Sequence, residues 1–134
     1  MSAFVARIVA MVGATLILMR RWGADTSTPA IVTEPSVGKS PNPITLLRDA
    51  DGDGIAEVRE TFLSGLNQPF GMALLGKDFY VGNTDALMVF PYDGSTKITG
   101  PGRKLADFKP GGHWTRSILA SPDASRIYIG VGSL

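Results

Sequence analysis

Phe79-Tyr80-Val81-Gly82 returns 48 residues later as Ile127-Tyr128-Ile129-Gly130, and each copy follows an apolar run and a polar turn. Both copies have the β-branched and aromatic content of strands. Around the first copy, strand-like runs fall at 71–75, 78–82, 86–92 and 104–108. After His113 the rhythm restarts with Ser117-Ile118-Leu119-Ala120, the turn Ser121-Pro122-Asp123-Ala124 and a second run over 126–131. A unit of four strands in about 40–50 residues is the period of a β-propeller blade. The pattern therefore predicts an all-β chain: the last hairpin of one blade, a whole blade from Gly71 to Phe108, and the first half of a third. A propeller ring takes about four to eight blades. About two blades cannot close one, so the chain reads as a partial β-propeller, either a fragment or a module that associates with something else.

Composition agrees with this class. The 16 glycines and 9 prolines are spread along the chain, as many turns between short elements require. Lys plus Arg number 13 against 12 Asp plus Glu, for a net charge of +1, so nothing electrostatic argues for nucleic acid as a partner. With no cysteine, disulfides, thiolate metal sites and cysteine nucleophiles are excluded, and thiol usage says nothing about compartment.

Two segments precede the β-type region. Residues 3–19 are apolar apart from Arg7, and the run from Ile8 to Met19 is followed at once by Arg20, Arg21 and Trp22. Residues 1–22 thus read as a hydrophobic helix, a signal or anchor segment able to associate with a membrane. Twelve helical residues rise only about 18 Å against about 30 Å of hydrocarbon, so the span is marginal. Residues 23–43 hold Gly, Asp, Ser, Thr and four prolines (Pro29, Pro35, Pro41, Pro43) without apolar periodicity, the composition of a linker. The folded region is expected over 44–134.

Asp49, Asp51 and Asp53, with Gly54 and Glu60, satisfy the spacing of an EF-hand calcium loop. An EF-hand needs a helix on each side, whereas 44–48 and 56–63 alternate like strands. Three readings stand: a β-hairpin whose Asp and Gly residues supply turn chemistry, such a hairpin holding calcium on Asp49, Asp51, Asp53 and Glu60, and a true EF-hand.

The single histidine lies in Gly111-Gly112-His113-Trp114-Thr115-Arg116, a glycine-rich loop leading into a new blade. Loops of this kind face the central channel of a propeller. Histidine exchanges a proton near neutral pH, and the neighbouring Trp and Arg offer a stacking face and a positive charge. A surface or packing role is the plainer alternative.

Three segments together carry a resemblance: 44–54 (ITLLRDADGDG), 65–73 (GLNQPFGMA), and His113-Trp114-Thr115-Arg116 with Ser121-Pro122-Asp123 and 128–133 (YIGVGS). Over 44–133 the chain resembles the pyrroloquinoline-quinone (PQQ)-dependent sorbosone and aldose dehydrogenases. The resemblance implies a six-bladed propeller with the quinone in its channel, a sugar or aldehyde substrate, and a membrane electron acceptor. It implies His113 as general base, taking the proton of a sugar hydroxyl, with Gln68 and Arg116 at the cofactor. It also implies a periplasmic location, anchored to the inner membrane. The basic pair Arg20-Arg21 would by itself favour the reverse orientation. The family's quinone-clamping arginines and cofactor calcium ligands lie in blades that this chain does not contain, so dehydrogenase activity is not expected of it alone.

Overall fold

A computed structural model describes residues 4–11, 14–21, 30–33, 42–51, 53, 55–109 and 113–132. Every regular element among them is a strand: β1 Phe4–Met11, β2 Ala14–Arg21, β3 Ala30–Thr33, β4 Ile44–Arg48, β5 Val58–Leu63, β6 Gly71–Leu75, β7 Asp78–Gly82, β8 Ala86–Pro91, β9 Arg103–Asp107, β10 Arg116–Ala120 and β11 Ile127–Val131. They form three antiparallel sheets in chain order, β1 to β5, β6 to β9, and β10 with β11.

Within the expected helix over 1–22, residues 4–11 and 14–21 depart from expectation, and the others lie outside the described residues. In place of a hydrophobic helix, β1 and β2 pair antiparallel with Ile8 opposite Ile17. Val5, Ile8, Val9, Thr15 and Ile17 are β-branched, and stiff side chains of this kind favour extended backbone once a partner strand is available. Among the described residues no helix is long and apolar enough to cross a membrane. A second departure lies within 23–43, where Ala30–Thr33 forms a strand between β2 and β4 and buries Ile31 and Thr33 completely.

The four-stranded sheet β6 to β9 lies between the other two, and alternation along its strands divides its side chains. One face sends Met72, Phe79, Val81, Phe90 and Tyr92 against Ile31, Ile44, Leu46, Phe62 and Leu63 of the first sheet. Phe62 is fully buried, its ring 5.3 Å from Phe79 and 5.4 Å from Tyr92 in edge-on contacts. Truncation of such an aromatic typically costs about 3–5 kcal/mol. The other face sends Ala73, Tyr80 and Leu87 against Ile118, Ile127 and Ile129 of the third sheet. The outer strand β9 is exposed throughout and carries Arg103, Lys104 and Asp107, charges that discourage edge-to-edge pairing.

The third sheet meets the second through its first strand. On Gly82 a Cβ would come 2.8 Å from the Arg116 carbonyl oxygen, and on Gly71 it would come 2.5 Å from the Ile118 amide nitrogen. Only glycine lets the backbones approach this closely.

Candidate functional site at the His113 loop

Three connections meet where β10 begins. The segment 64–70 leads into β6, the turn 83–85 joins β7 to β8, and His113, Trp114 and Thr115 precede β10. Thr84 links all three. Its amide donates to the Asn67 carbonyl at 3.0 Å, and its hydroxyl stands 3.1 Å from the Trp114 carbonyl and 3.3 Å from Gln68 Oε1. A hydroxyl has one proton to give, so both contacts are satisfied when Thr84 donates to Trp114 and the Gln68 amide turns its NH2 toward Thr84. Gln68 itself has a φ of 45°, in the left-handed region, immediately before the buried Pro69. Phe70, next in the chain, meets the half-buried Trp114 edge-on with ring centroids 5.9 Å apart.

His113 is exposed, and among the described residues its imidazole makes no hydrogen bond. The ring packs over Gly132, where a Cβ would stand 2.7 Å from His113 Cγ. Two features therefore fix a side chain that remains open to solvent: the backbone held from below and the glycine beneath the ring.

Arg116 lies beneath the loop at 1 % exposure. Its Nη1 donates to the carbonyls of His113 at 2.6 Å and Thr115 at 3.0 Å, Nη2 reaches the Lys109 carbonyl at 3.5 Å, and the guanidinium carbon lies 5.6 Å from the centre of the Phe108 ring. No carboxylate pairs with it among the described residues, and its Nε has no partner. Cation–π contact and main-chain oxygens replace a counter-ion. This cation holds the loop and does not face outward.

A second cluster sits elsewhere. The loop between β4 and β5 brings one oxygen from each of Asp49, Asp51, Asp53 and Glu57 within 4.8 Å of the others. Asp51 and Asp53 accept from the amides of Asp53 and Ile55 at 3.2 and 2.8 Å, and Glu57 Oε2 accepts from the Ala50 amide at 2.7 Å. Ligands around Ca²⁺ lie at about 2.3–2.6 Å, so oxygens across the ion stand about 5 Å apart, which these oxygens match. Glu60 is not in the cluster: it lies exposed in β5 opposite Leu46, and Glu57 stands in its place. The flanks are paired strands and not helices, which removes the EF-hand reading.

The two clusters lie at opposite ends of the β4–β5 hairpin. The acidic loop joins its Arg48 and Val58 ends, whereas the opposite end, at Ile44 and Leu63, lies by Thr33, whose hydroxyl donates to the Phe70 carbonyl at 3.4 Å on the His113 side. Any cation held by the acidic loop is thus no part of chemistry at His113. Of the residues expected at the site, His113, Gln68 and Arg116 converge, while the acidic residues stand apart. Thr84 is the addition that sequence reasoning passed over, because it reads there as an ordinary turn residue.

Comparison with protein-family models, curated proteins and solved structures finds no match to this chain.

Proposed function

We propose that the chain is a section of a propeller-type array resembling the PQQ-dependent sugar and sorbosone dehydrogenases, with the His113 loop bordering the ligand channel. The observation that carries this reading is an exposed imidazole that makes no hydrogen bond among the described residues, on a backbone held by Arg116 and Thr84. A fixed, solvent-facing histidine suits proton removal from a hydroxyl, a contribution of about 10²–10⁴ in rate where the geometry is right. The order of the sheets adds support: each packs on the next, and the first strands β6 and β10 make the closest approach.

The quinone does not fit the described residues. It needs cationic and amide groups that face outward, whereas Arg116 is turned onto main-chain carbonyls and Gln68 onto Thr84. This chain's own share is the proton acceptor, and sugar oxidation is not expected of the isolated chain. The same reading puts it in the periplasm, near an inner-membrane electron acceptor. Saturation-transfer NMR with an aldose tests the role of His113. Transfer from the Trp114 and His113 region that disappears in His113→Ala is the expected result, and transfer unchanged by that substitution removes His113 from the site.

A second reading, compatible with the first, concerns the hairpin. Four carboxylates within 4.8 Å repel one another, and an oxygen-only donor set suits Ca²⁺. Calcium titration followed by calorimetry should show saturable heat that Asp51→Asn abolishes and Glu60→Gln leaves in place. Equal loss from both variants contradicts this cluster as the ligand set.

A further inference from the structure

Gly82 faces Arg116, so alternation turns Asn83, like Val81, to the side of the middle sheet that meets the first sheet. There Asn83 is 7 % exposed, and among the described residues its Oδ1 is enclosed without a hydrogen-bond partner. The turn after β7 is closed by the main chain, with the Asn83 amide donating to the Ala86 carbonyl at 2.9 Å. The side chain takes no part in that turn. An enclosed, unpaired amide is costly, and a leucine of similar size would avoid the cost.

Asn83 borders a cavity of about 330 Å³ between the first two sheets. Leu63 and Leu66 line it from the side of the first sheet, Met88 and Phe90 from the middle sheet, and the segment 98–102 ahead of β9 forms a further wall. Two contacts fix these walls. The Ile98 amide donates to the Phe62 carbonyl at 2.9 Å, and the Phe90 ring lies against Gly102, where a Cβ would stand 2.6 Å from its Cζ. Among the described residues no charged side chain borders the cavity, whereas the neighbouring hollow past Ile98 is bordered by Lys77, Asp93 and Lys97. Apolar walls with one amide and no charge suit a small neutral molecule. Met88 and Phe90 favour a ring, through sulfur–aromatic and edge-on contacts.

We propose that this cavity binds a small apolar ring bearing a single hydroxyl, with the ring against Met88, Phe90 and Leu66 and the hydroxyl on the Asn83 amide. A hydroxyl both donates and accepts, so it pairs with either end of the amide. The cavity lies on the face of the middle sheet opposite β10, and neither outcome at His113 bears on it.

Methyl NMR spectra of the full chain, titrated with phenol and separately with toluene, provide the test. Saturable shifts of the Met88, Leu66 and Ile98 methyls are expected, with phenol bound about tenfold or more tighter because toluene leaves the amide unpaired. Asn83→Leu should reverse that order while circular dichroism stays that of the parent. Asn83→Ala, carried through the same titrations, serves should the leucine variant fail to fold. Absence of saturable shifts at these methyls, which leaves water as the only occupant, would overturn the proposal. So would toluene bound as tightly as phenol in the parent, or an undiminished preference for phenol in the folded Asn83 variants.

Discussion

Arg116 Nη1 donates to the main-chain oxygen of His113 at 2.6 Å, so a buried cation fixes the backbone of the residue that faces solvent. Among the described residues no carboxylate joins the pairing. The charge is held by carbonyl dipoles and the Phe108 ring, an arrangement that stabilises only while the loop is closed over it.

Arg116→Met keeps most of the packing volume on Phe108 and removes the donors. Hydrogen bonds to charged groups contribute about 1.5–3 kcal/mol, partly offset here by relief of the buried charge. A net loss of about 1–2 kcal/mol in urea unfolding is expected, with faster amide exchange at Trp114 and Thr115. Unchanged stability and exchange would mean that the loop is held by Thr84 alone.

Gly82→Ala should also destabilise. Its new methyl meets the Arg116 carbonyl oxygen at 2.8 Å, a backbone atom that cannot swing away, and overpacking of this kind costs about 1–3 kcal/mol. Gly130→Ala at the register-equivalent position serves as the control, with little effect on unfolding at low concentration. Equal effects at both positions in denaturant titrations would contradict the close approach of the Arg116 backbone to Gly82.

Acid should loosen the turn between β10 and β11. The Ser121 hydroxyl, donating at 2.6 Å, and then the amide and hydroxyl of Ser125 hold Asp123 down to about 2 from its ordinary 3.8. A depressed carboxylate stabilises the fold fully above its unfolded value and stops doing so as pH falls through its folded one. The turn's contribution is thus lost between about 4 and about 2. Carboxyl carbon shifts of Asp123 that titrate near 2, with the Ser125 amide moving in step, are expected, and a midpoint at the ordinary value would show an unbonded side chain.

Much of the β architecture was legible because alternation and turn residues are local signals. The runs at 71–75, 78–82 and 86–92 and the hairpin over 44–63 all became strands at nearly the expected places. Ala30–Thr33 was not legible: four residues flanked by Pro29 and Pro35 carry too little pattern, and their burial comes from pairing with β2 and β4. Residues 4–21 misled because an apolar run reads alike for a helix and for paired strands, and only the partner decides. Glu60 gave way to Glu57 because the EF-hand spacing assumes a helical turn after the loop. In a hairpin the strand begins at Val58, so the carboxylate just before it closes the cluster. Arg116 read as an outward charge, since nothing in a sequence shows that carbonyls will surround a guanidinium.

The docking of β10 and β11 against the middle sheet fixes where His113 faces. Methyl NOESY spectra of the chain measure it. Cross-peaks from the Ile118 methyls to the Ala73 methyl and the Gly71 and Gly82 α-protons are the predicted result. Their absence, with cross-strand peaks between Ile118 and Ile129 still present, would show a hairpin free of the stack and would contradict the placement of His113.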